Sequence, residues 1–482
     1  MRKWTVLAAV AGLLMIAACN TADTTAPTVS IVSPADGATV NKGVIVIKAL
    51  ATDNKAVNRV EFYIDGNLMV VDNVGDAGDT FHYTWWDTAS QVAGRNYSLV
   101  AKAFDKAENA TSSAAVTITI AGGGTGPTEH TGDITGGDST WYASGNPHIV
   151  MNRLAIGDNG RLTIMPGCIV KFAAGAGFTV GNTTPGELVA IGKADSIIYF
   201  TADATSPNPG DWAGFDFFGE TRATTRFSYC DINCGGSPDY GAINLDWGGT
   251  IQMDHSTIKN APKYGIYAGD FTGYVQGFTA NTITACGSYP ICMGAADMSN
   301  MTSGNTLTGN AIDAIYISGG GITETGTWRN HGVPYVLGDN LDIGADAGPV
   351  LTIESGATLE FTSGHDLALG YTVPAGLIAD NVTFTSASSN PQQGDWNGIW
   401  FYGSVTDAQC RLTNCSIAYG GGNDYSNIWL EDAKPTITNC SIHDSKGWGI
   451  YLSGAEYPDP DSLEFSQGNA FSNNLLGNVY RP

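Results

Sequence analysis

The feature that most constrains this chain is that its last two thirds is written twice. LTIMPGCIVKF, starting at Leu162, returns as LTIESGATLEF at Leu351. PNPGDWAG (Pro207 to Gly214) returns as PQQGDWNG, RFSYCDI (Arg226 to Ile232) as RLTNCSI, and STIKNAPKYGIY (Ser256 to Tyr267) as CSIHDSKGWGIY. The offsets stay between 184 and 189 residues, so two copies of one architecture are expected. Residues kept in both copies should be structural, and function should be sought where the copies differ.

A shorter period runs inside each copy. Ile232, Ile258, Ile283 and Leu307 close the same small motif at steps of 26, 25 and 24 residues, and Ile417 and Ile442 lie 25 apart. Each step carries a short apolar run, a polar turn and a second run such as YGIYA or WGIYL. With 62 glycines and no long helical periodicity, this predicts coils of short parallel strands, stacked at about 4.8 Å. Around thirteen coils then span roughly 60 Å. The stretch GDWNGIWF…CSIAYGG…PTITNCSI…GWGIYL resembles the right-handed parallel β-helix, or pectate-lyase-like, superfamily. That superfamily holds lyases, hydrolases, epimerases and adhesins, so the resemblance implies a fold and not an activity.

Residues 27–120 read as a small β-sandwich. Ile45/Ile47/Ala49, Val60/Phe62/Ile64, Tyr97/Leu99/Ala101/Ala103 and Val116/Ile118/Ile120 alternate with polar residues, as half-buried antiparallel strands require. ATDN (from Ala51), VEFYIDG (from Val60), WDT (from Trp86) and AFDKAEN (from Ala103) resemble bacterial Ig-like domains. The expected class is all-β: an Ig-like sandwich followed by a duplicated right-handed parallel β-helix. The expected boundaries are a Gly-rich linker over 121–138, the first β-helix copy over 139–325 and the second over 326–482.

At the N-terminus, Arg2 and Lys3 precede an apolar run, Val6 to Ile16, that is short for a membrane span. This predicts a signal peptide over 1–18. Ile16-Ala17-Ala18-Cys19 resembles a bacterial lipobox, which implies a lipid on Cys19 and a tether over 19–26. The expected location is therefore the outer membrane or cell surface of a bacterium, with the periplasmic face as the alternative. With Arg2 and Lys3 removed, 20 basic side chains stand against 46 acidic ones, a net charge of −26. Such a chain has no electrostatic footprint for nucleic acid, and it would meet the membrane only through its anchor.

Chemistry is hard to place. Gly210-Asp211-Trp212 and Gly394-Asp395-Trp396 occur in both copies and so read as structural. Gly364-His365-Asp366 faintly echoes a hydrolase site, which needs a second carboxylate that the sequence does not name. Asp459 and Asp461 read as solvated loop charge, and His255 and His443 as turn residues. The nine cysteines form no zinc pattern; Cys415 and Cys440, 25 residues apart, should stack as buried thiols. Asp53, Asp105 and Asn109 offer oxygens for Ca²⁺ near one end of the sandwich, against the plainer reading of turn capping.

The strongest functional signal is aromatic. Ile399/Phe401, Ile428/Leu430 and Ile450/Leu452 should point inward, leaving Trp400, Trp429 and Tyr451 outward, with Tyr480 next in line. The first-copy counterparts are Asp216, Asn244, Tyr267, Cys292 and Tyr316, so the column belongs mostly to the second copy. Exposed rings at strand spacing suit stacking on sugars. The leading expectation is non-catalytic binding of polysaccharide at the cell surface, with no catalytic residue assigned. A polysaccharide lyase or glycoside hydrolase is the competing reading, and a purely structural surface protein is a third. A cluster of carboxylates with Arg, Lys or His on one outer face would distinguish the enzyme.

Overall fold

The computed structural model describes residues 23–40, 43–73, 81–88, 91–92, 94–120, 127–269, 273–422, 425–454 and 467–481. The signal segment, Cys19, Asp459 and Asp461 lie outside these residues. The chain divides into two units at Gly123/Gly124. No helix among the described residues is long and apolar enough to cross a membrane.

The first unit is a sandwich of two sheets. Thr28–Ser33, Val44–Thr52 and Phe81–Asp87 form one; Thr39–Val40, Val116–Ile120, Asn96–Asp105, Val57–Ile64 and Asn67–Asp72 form the other. The two-residue period is visible in Val44–Thr52, whose alternate residues are buried from Ile45 to Ala51. These side chains meet Val60, Phe62, Leu99, Ala101, Ile118 and Ile120 in the core, all within 2 % of full burial.

The second unit is a parallel β-solenoid of about 13 turns with three faces. Its first strands are Thr128–His130, Ile134–Thr135 and Asp138–Trp141. This corrects the linker expected over 121–138: residues from Thr128 onward are already coil. The glycines there serve turns, as Gly136 does at φ +65°. One face runs through both copies as a single sheet of 14 strands, from Ile134–Thr135 to Ala470–Ser472. The two copies therefore stack end to end on one hydrogen-bond ladder.

The copies are not in the same rotational phase. In the first, the Gly-Ile-Tyr type strands Gly241–Leu245 and Tyr264–Ala268 lie on the 14-stranded face. In the second, their equivalents Ser426–Glu431 and Trp448–Ser453 lie on a seven-stranded face. The Cys-Ser-Ile strands Ser416–Ala418 and Ser441–His443 take the 14-stranded face instead. The changeover falls where Ala295–Asn300 is a 3-10 helix and Ile291–Met293, Ile315–Ile317 and Tyr335–Leu337 follow one another on the shared face.

Recurring parts of the motif are structural. Trp212 and Trp396 are fully buried and stack on Phe172 and Phe361, each pair 4.1 Å between ring centroids. Their indole N–H groups donate to the carbonyls of Asn233 and Ala418, both at 2.8 Å. Asp211 and Asp395 cap their own turns by accepting the amides of Asn208 and Gln392. Asn414 and Asn439 take positive φ just ahead of each Cys-Ser-Ile strand, a conformation asparagine tolerates better than most residues. All eight cysteines of the described residues are buried and reduced. Ser416 pairs with Ser441, which places Cys415 and Cys440 one coil apart on the same face. The contact with Cys440, together with burial, pushes the Cys415 thiol far above its ordinary range. His255 is a turn residue at φ +47°, whereas His443 stands in a strand and bonds Asp444, contrary to its reading as a turn.

Because Trp396 fills a coil corner and satisfies its own donor, Trp396→Ala should cost roughly 3–5 kcal/mol. Chemical denaturation of the variant against the parent measures this, and a loss below about 1 kcal/mol would contradict the corner role.

Candidate functional site

Strands Asp366–Leu369, Gly398–Phe401, Ser426–Glu431, Trp448–Ser453 and Gly477–Tyr480 are neighbours on the seven-stranded face. Their apolar residues point inward: Ile399, Phe401, Ile428, Leu430, Ile450 and Leu452 are buried. Alternation then turns the intervening residue outward. The register pairs Trp400 with Trp429, Trp429 with Tyr451, and Tyr451 with Tyr480. The expected column therefore exists, one ring per coil.

The column differs from the sequence expectation in two respects. First, its rings are half-buried rather than laid open. Trp400 meets Trp429 edge to face at 4.7 Å and 70°, and Trp429 meets Tyr451 at 6.3 Å and 86°. Only Tyr451 and Tyr480 are stacked, at 4.4 Å and 12°. Neighbouring loops add rings: Tyr425 lies flat on Trp429 at 4.8 Å, and Tyr402 lies 6.3 Å from Trp400. Such edge-to-face pairs hold the rings firmly, because each ring's positive edge meets another's negative face. The indole N–H of Trp429 is buried without a hydrogen-bond partner.

Second, the aromatic character is not private to the second copy. Asp216, Asn244, Tyr267, Cys292 and Tyr316 do form the corresponding column. Around it stand Tyr240, Tyr264 and Tyr289, with Tyr240–Tyr267 and Tyr289–Tyr316 at 5.5 and 5.1 Å. What separates the copies is narrower: Trp400 and Trp429 replace Asp216 and Asn244. In the first copy those polar groups are consumed internally. Arg153 donates to Asp216, and Asn244 Nδ2 donates to Asp216 at 2.8 Å.

Below Trp400 the column changes character, because Ala368 and then Asp342 occupy the outward position. The small side chain leaves a cleft of about 350 Å³, lined by Trp400, Tyr402, Tyr371, Asp342 and Asp366 among others. Tyr371 is 75 % exposed and presents its ring at the rim, 5.0 Å from Tyr402. Asp366 is only 8 % exposed. Burial raises its carboxyl above the ordinary range, and the charges of Asp342 and Asp339 act in the same direction, against a hydrogen bond from Asn397. Burial also pushes Tyr402 up to about 12. No Arg or Lys is among the cleft's described lining residues. His365 stands beside Asp339 and Asn340, 3.6 and 3.3 Å away.

The sequence thus supplied the column and Asp366. It did not supply Asp342, one coil away, or the loop rings Tyr371, Tyr402 and Tyr425. Trp247 was also missed; it is 69 % exposed on a first-copy turn at φ +52°, beside a second cleft with Phe218 and Glu220. A bulky residue in left-handed backbone and in solvent is an uncommon choice for scaffold alone. Asp53 and Asp105 are brought together in the first unit, whereas Asn109 Nδ2 donates to Asp105 at 2.7 Å and so braces the pair.

The raised Asp366 carboxyl gives a signed prediction. Its folded form holds the proton more tightly than the unfolded chain, so its contribution is favourable at low pH and lost as pH rises through the folded value. Asp366→Asn should therefore raise the melting temperature at pH 7, and the gain should vanish near pH 3. Thermal melts of both proteins across that range test it. A destabilised variant at pH 7 would refute the reading.

Residues 375–474 match the family model described as a right handed beta helix region, and residues 27–101 match the bacterial Ig domain. No curated protein matches the chain. Among solved structures, fibronectin(III)-like modules of Clostridium thermocellum CbhA are similar at 24 % identity with a TM-score of 0.17. That match covers 20 % of this chain and 47 % of the other, so the chain spans about half the length of that structure. The architecture points to a surface or polysaccharide-associated protein. It carries a bacterial Ig domain followed by a right-handed parallel β-helix.

Proposed function

We propose that this is an exported lipoprotein, anchored through Cys19 at the outer membrane or cell surface, that binds neutral polysaccharide along the outer face of its second β-helix copy. The observation that carries the reading is the register of Trp400, Trp429, Tyr451 and Tyr480, which ends in the cleft beside Tyr371. Rings held at fixed spacing by one another offer apolar surface to sugar C–H groups without a large ordering cost. The carboxylates lining the cleft and the net charge of −26 after removal of Arg2 and Lys3 disfavour a polyanion.

A second reading has its own support. Two carboxyl groups in one cleft, one of them buried and raised, are the elements of glycoside hydrolysis, with Asp366 as acid and Asp342 as the second carboxyl group. No Arg or Lys is among the cleft's described lining residues, which disfavours lyase chemistry, since that needs a base for the sugar C5 proton.

Three experiments test the proposal. The Trp400→Ala/Trp429→Ala variant should lose roughly 1–3 kcal/mol of affinity per ring on a glycan array while remaining folded. Undiminished binding would sink the binding reading. Reducing ends released by the parent but not by Asp366→Asn would establish the hydrolase instead. Separately, Cys19→Ser should move the protein to the soluble fraction; unchanged membrane association would exclude the anchor.

A further inference from the structure

In the Ig-like unit, three carboxylates from three separate segments converge. Asp23 precedes the first strand, Asp53 follows the strand Val44–Thr52, and Asp105 ends the strand Asn96–Asp105. One oxygen from each lies within 4.8 Å of the others. Two oxygens each bound at about 2.4 Å to one Ca²⁺ stand at most about 4.8 Å apart, so the triangle has the dimensions of a shared ion.

Acidic clusters are common, and proximity alone would not carry a site. The independent observation is Asp53. Its Oδ2 accepts the amides of Lys55 and Ala56 at 2.9 and 3.1 Å, which is a turn cap. Its Oδ1 is buried away from solvent and has no hydrogen-bond partner. A buried carboxyl oxygen without a donor is costly, and here it belongs to a group of three carboxyl groups. Lys55 Nζ lies 3.8 Å from Asp23 and is 61 % exposed. Asp23 Oδ1 accepts the Thr25 amide at 3.1 Å and Asn54 Nδ2 at 3.3 Å. Asp105 is 1 % exposed.

The geometry points to a Ca²⁺ site formed by Asp23, Asp53 and Asp105. Asn109 is its positioning residue: Nδ2 donates to Asp105 at 2.7 Å and to the Asp23 carbonyl at 2.8 Å, tying the leading segment to the last loop. A hard divalent cation with oxygen ligands fits this donor set, which holds no imidazole or thiolate. Bound Ca²⁺ would fasten the segment at Asp23 to the end of the sandwich.

The test uses the purified full chain, stripped with chelator and titrated calorimetrically with Ca²⁺ and with Mg²⁺. Asp105 also caps its own loop through the Ala107 and Asn109 amides, so its replacement disturbs folding regardless of metal. Asp23→Asn and Asp53→Asn carry the test instead, since Asp23 lies ahead of the first strand and asparagine preserves an acceptor at residue 53. Each should weaken Ca²⁺ binding about tenfold or more, and Mg²⁺ should bind the parent about tenfold more weakly than Ca²⁺. Chelation should lower the melting temperature of the parent and leave Asp53→Asn unchanged. The inference is overturned if the parent shows no Ca²⁺ binding up to about 10 mM. It is equally overturned if both variants, folded by circular dichroism, bind as the parent does.

Discussion

Everything in the β-helix depends on the parallel hydrogen-bond ladder between successive coils. Once each strand is paired with the strand one coil away, the two-residue alternation decides which side chains enter the core and which face out. Ile399, Ile428, Ile450 and Val479 align on one side of this decision, and Trp400, Trp429, Tyr451 and Tyr480 on the other. A shift of one residue would bury the rings and expose the isoleucines together. The aromatic column is thus as well specified as the core, because both come from the same register. Trp212 and Trp396 reinforce it at the corners, where a buried donor must find a carbonyl of the next coil.

The ladder also explains how two copies of one sequence come to differ in presentation. The 14-stranded face is continuous, yet it is built from one motif class in the first copy and another in the second. Stacking requires only that strands pair and that apolar residues meet, and both motif classes satisfy this. Tyr316 pairs with Val336, and Ile317 with Leu337, across the changeover. The second copy can therefore turn its Gly-Ile-Tyr strands to the adjacent face without breaking the sheet. Duplication here produces two similar surfaces that point in different directions around one axis.

How much of this was legible in the sequence follows from which signals are periodic. Inward and outward residues, the coil repeat, the stacked Cys415 and Cys440 and the corner tryptophans all recur, so they could be read. The rotation between copies could not, because it depends on how the chain closes its coils around Ala295–Asn300, a segment with no counterpart in the repeat. Asp342 escaped for the same reason: it becomes the neighbour of Asp366 only through the pairing of Leu341–Ile343 with Asp366–Leu369. Tyr371, Tyr402 and Tyr425 lie on connections, where spacing carries no phase. Asp23 sat in a stretch read as tether, since three carboxylates from distant segments leave no local pattern. The Gly and Thr content of residues 128–138 misled in the opposite direction, because coil turns and linkers use the same residues.

The comparison between copies still argues for function, though on fewer residues than the sequence suggested. Tyr240 and Tyr425 are equivalent, as are Tyr264 and Trp448, and Tyr267 and Tyr451; rings kept in both copies fill the space outside the Gly-Ile-Tyr strands and can be explained as packing. The scaffold at Trp400 and Trp429 is equally indifferent to what it carries, since Asp216 and Asn244 occupy the same strand positions in an intact ladder. An indole there is not required by the fold. The pair replaces hydrogen-bonded polar groups with apolar surface, leaves the Trp429 N–H without a partner, and sets Trp400 in a cleft it shares with Asp366, whose carboxyl burial holds at a raised value. Each of these is a departure from the most stable choice at its position. Their coincidence on one face of one copy is what the proposed site rests on.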